Sequence, residues 1–286
     1  MTSEIAQQFV LTALALAAPL LLAALGELIG ERAGVLNIGL EGLMLVGAFA
    51  GAAASFYWNC AWIGLFAAIV AGVLLASVFA LIAVSWRADA IIVGTGLNLL
   101  ALGLTGVGHR YFIEKFQAYE SVELPQILFG VFGVVLALFL WWFLRRTQIG
   151  LQLRAVGEYP QAAETAGVNV QSTRWLATLC NGALCGLAGA FLSQSHTHSF
   201  AENMTGGRGF IALAIVIFGR WNPIGAIGAA LLFGAAESAQ FSLQALVGSG
   251  YAPLFLMLPY VITLLTLAGF AGKTRAPMAL GQTYER

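Results

Sequence analysis

Glu27, Glu41 and Glu237 stand inside long apolar runs of this 286-residue chain. The neutral polar groups in the same setting are Asn37, Asn98, Asn181, Gln194, Ser238 and Gln240. Ionisable groups at membrane depth are costly and mark solute paths or proton relays. Glu27 and Glu41 lie near the ends of their runs, where they either pair with Arg32 or are solvated. Asparagine amides donate and accept without charge, which suits hydroxyls and ring nitrogens of a neutral polyhydroxylated solute. The alternative for each is an interhelical hydrogen bond worth about 0.6–2 kcal/mol. The candidate solute path is therefore Asn37, Glu41, Asn98, Asn181 and Glu237.

Other chemistry has little support. His196 and His198 precede Glu202, but no third ligand accompanies them, so a solvated or hydrogen-bonded pair is expected rather than a metal site. Cys60, Cys180 and Cys185 lie in apolar runs without metal spacing and read as small packing residues. Residues 267–274, LAGFAGKT, imitate a phosphate-binding loop, but Leu267 replaces its first glycine and no strand precedes it. Lys273 and Arg275 read better as membrane-edge anchors. No catalytic constellation is expected, and any ATP and Mg²⁺ would be bound by a separate polypeptide.

These residues need a membrane to hold them. Apolar residues make up 60% of the chain and charged ones 9%, against about 25% in soluble domains. Thirteen basic residues balance thirteen acidic ones, so there is no basic face for nucleic acid. Spans of about 20 apolar residues fall at 9–29, 40–58, 61–84, 90–108, 126–144, 173–193 and 251–270. The stretch 209–243 is interrupted at Arg220-Trp-Asn-Pro223. Counted as two, it makes about nine spans (eight to ten) in one all-α transmembrane domain, 1–286. A re-entrant 209–219 would lower the count. Residues 1–8 carry Glu4 and no Lys or Arg, so the first run is expected to stay in the mature protein.

Orientation follows the basic residues. With the 145–174 connection in the cytoplasm, Arg32, Arg87, Arg145, Arg146, Arg154, Arg174, Arg220, Lys273, Arg275 and Arg286 share that side. Arg110, Lys115 and Arg208 face outward. The N-terminus is then outside and the C-terminus cytoplasmic. All seven tryptophans fall at span ends, where amphipathic rings are favoured. Glycines such as Gly47/Gly51 and Gly182/Gly186 have the small-xxx-small spacing of closely packed helices.

Two connections are long. The outer one, 109–125, carries Glu114, Lys115, Glu120 and Glu123. The inner one, about 145–172, places Pro160 at a helix start, good helix formers after it and Gly167 at the stop. A short helix lying at the cytoplasmic face is expected, as a dock for a soluble partner. Residues 150–169, GLQLRAVGEYPQAAETAGVN, resemble the coupling segment of ABC-importer permeases. Residues 26–44, GELIGERAGVLNIGLEGLM, look like the signature of the branch importing nucleosides and simple sugars. Residues 207–225, GRGFIALAIVIFGRWNPIG, are similar to the region before its last two spans. The resemblance implies a multi-pass permease subunit of the bacterial inner (plasma) membrane, importing nucleosides. Its partners would be a cytoplasmic ATPase, a second permease subunit and an external substrate-binding protein. It assigns coupling to Arg154, Gly157, Glu158, Pro160, Ala162, Ala163, Glu164 and Gly167. Rival readings are a ribose-like sugar or branched-chain amino acid permease, and a proton-coupled carrier titrating Glu41 or Glu237.

Overall fold

A computed structural model describes residues 2–117, 125–247, 257, 261 and 276–284. Outside the described residues lie most of the expected span 251–270, the loop-like motif 267–274 with Lys273 and Arg275, the terminal Arg286, and Glu120 and Glu123. The chain runs α1 (Thr2–Arg32), α2 (Leu40–Trp58) and α3 (Ala61–Phe79, prolonged by a π-helical turn over Ala80–Ser85). There follow α4 (Ala90–Gln117), α5 (Gln126–Arg146), α6 (Gln148–Glu158) and α7 (Pro160–Thr165). Last come α8 (Val170–Phe191, prolonged by a π turn over Leu192–His196), α9 (Arg208–Phe218) and α10 (Pro223–Val247). Among the described residues there is no strand, and seven helices are long and apolar enough to cross a membrane.

Large apolar side chains cover much of the surface. Ile92 (71% exposed), Leu99 (74%) and Ile127 (74%) project from α4 and α5, a surface suited to lipid rather than water. The centre is α1 and α8, whose close neighbours are α2, α3 and α10. Here the glycine spacing has its use: a Cβ on Gly47 would lie 2.6 Å from the Cα of Gly186. Gly47→Leu is therefore expected to lower unfolding stability by about 1–3 kcal/mol through overpacking, measured by denaturant titration in detergent. Wild-type stability in that variant would show that α2 and α8 do not meet this closely.

Short polar caps start the helices of the inner connection. Thr147 Oγ1 accepts from Gly150 N (3.0 Å) at α6, and Asn169 Oδ1 accepts from Ser172 N (3.0 Å) at α8. Pro160 opens α7, and Gly167, at φ +86°, follows its end. The expected short helix is thus α7. The preceding α6 is a second helix that the sequence reading did not separate, set on the bundle by Gly150, Leu153, Val156 and Gly157.

Two crossings are broken. α1 ends at Arg32, and residues 33–39 turn back along it without helical structure, starting at Gly34 (φ +83°). Asn37 N reaches the Glu27 side chain, so α2 starts about 8 Å inside the end of α1. The second break lies at 209–219. α9 is only 11 residues, about 16 Å, too short to span. It is not a hairpin returning to its own side. Residues 197–207 descend beside α2, with Phe200 among Leu45, Ala48 and Ala52, to Gly207 beside Glu41. α9 then continues to Trp221 beside Arg32. The first half of this segment is irregular and the second half helical. Irregular backbone at this depth is tolerated only where protein buries it or a cavity is lined.

Candidate functional site

The first break is held by amides and one carboxylate. Glu27 is fully buried; its Oε1 accepts from Asn37 N (2.9 Å) and its Oε2 from Asn181 Nδ2 (2.5 Å). Asn37 Oδ1 accepts from Gly39 N (2.8 Å). Asn98, reaching across from α4, accepts from Gly42 N (2.8 Å) and donates to Ile38 O (3.0 Å). Together Asn37 and Asn98 satisfy backbone groups that the start of α2 would otherwise leave unpaired. Glu27 does not pair with Arg32, as one reading had it. Arg32 donates through Nε (2.9 Å) and Nη2 (2.6 Å) to Trp221 O.

The second break meets the first at Glu41. Its carboxylate accepts from Gly207 N (2.8 Å) and Gly209 N (2.7 Å), capping α9 with a negative charge. Arg208, the first residue of α9, forms an ion pair with Glu237. Glu237 lies fourteen residues along α10 from Pro223, about 21 Å up the helix. Arg208, expected toward the outside, is paired within the bundle. At the lower end of α9, Trp221 Nε1 donates to Glu31, and the ring is buried rather than spread along a membrane edge. Arg220 and Trp221 both adopt positive φ, 55° and 52°.

The inner connection abuts the same structure. A Cβ on Gly157 would collide with Arg32 O and approach Gly34 N to 3.3 Å. Residues 276–284 lie across this joint: Ala279 N donates to Gly157 O (2.9 Å) and Gly281 N to Gly34 O (3.1 Å). Met278 N reaches Glu158 (3.4 Å), and Tyr284 donates its hydroxyl hydrogen to Glu164. Ala163 is buried with Val156 and Val170, which seats α7. Arg154 and Pro160 are half-buried, whereas Tyr159, Gln161, Ala162 and Gly167 are exposed.

The five path residues therefore do not ring one cavity. Asn37, Asn98 and Asn181 gather at the α1–α2 break, and Glu41 and Glu237 flank the start of α9. The residues expected to couple divide into those that anchor, Gly157 and Ala163, and those that are exposed, such as Ala162 and Gly167. The sequence reading did not pick out Glu31, Thr205, Arg208 or Trp221 as site residues. Arg208 carried the same signal as Glu237, a charge within an apolar stretch, but a span starting at 209 left it outside. Gln194, noted as polar, holds Gly51 O (2.9 Å). His198 Nδ1 lies 3.2 Å from Gln194 O, the His196 side chain is outside the described residues, and no metal-ligand cluster occurs among the described residues.

The three segments singled out by resemblance thus meet in space. Residues 26–44 and 207–225 join at Glu41 and Trp221, and 150–169 abuts them at Gly157. The family profile described as "Branched-chain amino acid transport system / permease component" matches residues 9–267. The guanosine ABC transporter permease protein NupQ of Bacillus subtilis is 38% identical, covering 94% of this chain and 93% of that one. The nucleoside ABC transporter permease protein NupC of Lactococcus lactis is 37% identical over 93% of both. A solved inward-facing transporter, assigned to the metal-chelate type of ABC transporter, superposes with a TM-score of 0.51 at 18% identity. It covers 92% of this chain and 85% of that one, a likeness of fold.

Proposed function

Since the chain belongs to the branched-chain amino acid transport system / permease component family, we propose that it imports nucleosides as the membrane-spanning subunit of an ATP-driven transporter. It is a multi-pass protein of the bacterial inner (plasma) membrane. The substrate assignment rests on the two permeases named for guanosine and for nucleosides. The geometry that carries the mechanism is the joint where Gly157 meets the end of α1 at Arg32 and Gly34.

In this reading, a separate ATPase that binds ATP and Mg²⁺ docks on the exposed side of α7. Arg154, Gly157, Glu158, Pro160, Ala162, Ala163, Glu164 and Gly167 form the dock and its seat. Closure on ATP displaces α6 against the end of α1, and the broken segments carry that displacement to the starts of α2 and α9. Discontinuous helices meeting inside a bundle suit alternating access. A second permease subunit completes the path, which Asn37, Glu41, Asn98, Asn181 and Glu237 flank, and an external binding protein delivers the solute. The α7 end is cytoplasmic and the N-terminus external. α10 leads away from that end and residues 276–284 lie at it, which supports nine crossings.

Of the rivals, a branched-chain amino acid would bring a carboxylate. Arg208 stands at membrane depth, but its partner is already Glu237, so a zwitterion is disfavoured and a ribose-like sugar is the nearer alternative. A proton-coupled carrier would work alone. The test is guanosine uptake into vesicles holding the assembled importer: uptake follows ATP and is absent from vesicles containing this chain by itself. Uptake by the lone chain, driven by a pH gradient, sinks the reading. On the same assay, Ala162→Arg is expected to cut ATPase association and uptake roughly tenfold, with fold stability within about 0.5 kcal/mol of wild type because the position is exposed. Unchanged association would move the dock elsewhere.

A further inference from the structure

We propose that Thr205, Arg208 and Glu237 form a subsite for the vicinal hydroxyls of a ribose ring, an inference that rests on the nucleoside reading above. Arg208 Nη2 is engaged by one oxygen of Glu237, and Nη1 donates to Met204 O (3.1 Å) and Thr205 O (3.4 Å). That leaves Arg208 Nε, Glu237 Oε2 and Thr205 Oγ1, all buried and all without a partner. Thr205 is fully buried and Glu237 is 9% exposed, so these are not surface groups that water satisfies. They are a donor, an acceptor and a hydroxyl able to be either.

Two adjacent hydroxyls complement that set. One accepts from the guanidinium Nε–H, one donates to the carboxylate, and the Thr205 hydroxyl completes whichever is short. Charge balance selects the ligand further. An anionic group would meet Glu237 and Glu41 against Arg208 alone, and a cation would meet Arg208. A neutral diol meets neither repulsion and brings no further charge to this depth. The site opens from its present closed state at the glycine pair Gly206 and Gly207, both at positive φ (53° and 87°), which joins Thr205 to α9.

The experiment uses the full importer in vesicles, with labelled adenosine and 2′,3′-dideoxyadenosine as probes. Selectivity of the binding protein is common to wild type and variant and cancels in their comparison. Thr205→Val, close to isosteric, is expected to lower the adenosine-to-dideoxyadenosine uptake ratio roughly tenfold, the effect of one lost hydrogen bond to a polar ligand. Thr205→Ser, which restores the hydroxyl, should keep the wild-type ratio, and Glu237→Gln should fall between. Equal ratios in Thr205→Val and Thr205→Ser overturn the subsite while leaving nucleoside import standing. A wild-type importer that takes up neither probe removes the functional reading, and the subsite with it.

Discussion

Replacing Glu41 by alanine will reduce solute uptake to about a hundredth of wild type. The carboxylate accepts from Gly207 N and Gly209 N at 2.8 and 2.7 Å. Hydrogen bonds to a charged acceptor are worth about 1.5–3 kcal/mol each, and an amide left buried without one costs about 1–3 kcal/mol. Gly209 is buried, so water replaces the carboxylate poorly at its amide. A loss near 3 kcal/mol depopulates the seated position of α9 by about two orders of magnitude. Glu41→Gln keeps an amide oxygen that can accept one of the two bonds, so it should show intermediate uptake. That grading separates a cap from a titrating group: a proton carrier would lose all activity in the glutamine variant. ATP-driven uptake in vesicles, with thermal unfolding alongside, measures both. Wild-type uptake in Glu41→Ala would show that α9 is set by other contacts.

The second large effect is expected at Gly157. A side chain there would drive its Cβ into the carbonyl of Arg32, with the Arg32 carbonyl carbon at 2.9 Å and Gly34 N at 3.3 Å. These neighbours are backbone, and Ala279 N holds Gly157 O from the other side, so nothing flexible can give way. Gly157→Val should cost about 1–3 kcal/mol by overpacking and lift α6 from the end of α1. The ATPase would still dock on α7 and hydrolyse ATP, but solute moved per ATP should fall at least about tenfold, consistent with a misplacement near 1 Å. Parallel phosphate-release and uptake assays give that ratio. An unchanged ratio would mean that force enters the bundle by another route.

Sequence reading found what is continuous along the chain. Runs of about 20 apolar residues have one reading in lipid, so six spans coincide closely with helices, and Pro160 to Gly167 marks α7 because cap chemistry is local. It also flagged residues 34–42, where Asn37, Gly39 and Gly42 interrupt two apolar helices. It did not reveal what closes in space. Arg208 and Glu237 are 29 residues apart, and Trp221 and Glu31 are 190 apart. Window composition also has no means of recognising a crossing made half of irregular chain and half of an 11-residue helix. α6 escaped for a different reason: Ile149 and Leu151 are exposed while Leu153 and Val156 are buried, so its apolar residues lie on both sides of a helix too short to read as a span.

α9 has a mechanical character of its own. It is a straight rod about 16 Å long between two swivels. Asn203, Gly206 and Gly207 are left-handed at one end, and Arg220 and Trp221 at the other. Left-handed backbone in non-glycine residues costs about 1–3 kcal/mol each and persists only where surroundings enforce it, here the grip of Arg32 on Trp221 O. A tilt of about 10° about the Trp221 pivot swings the Arg208 tip by about 3 Å, close to the length of a hydrogen bond. An ångström-scale nudge at the base of this beam is therefore enough to part its tip from Glu41 and Glu237 together.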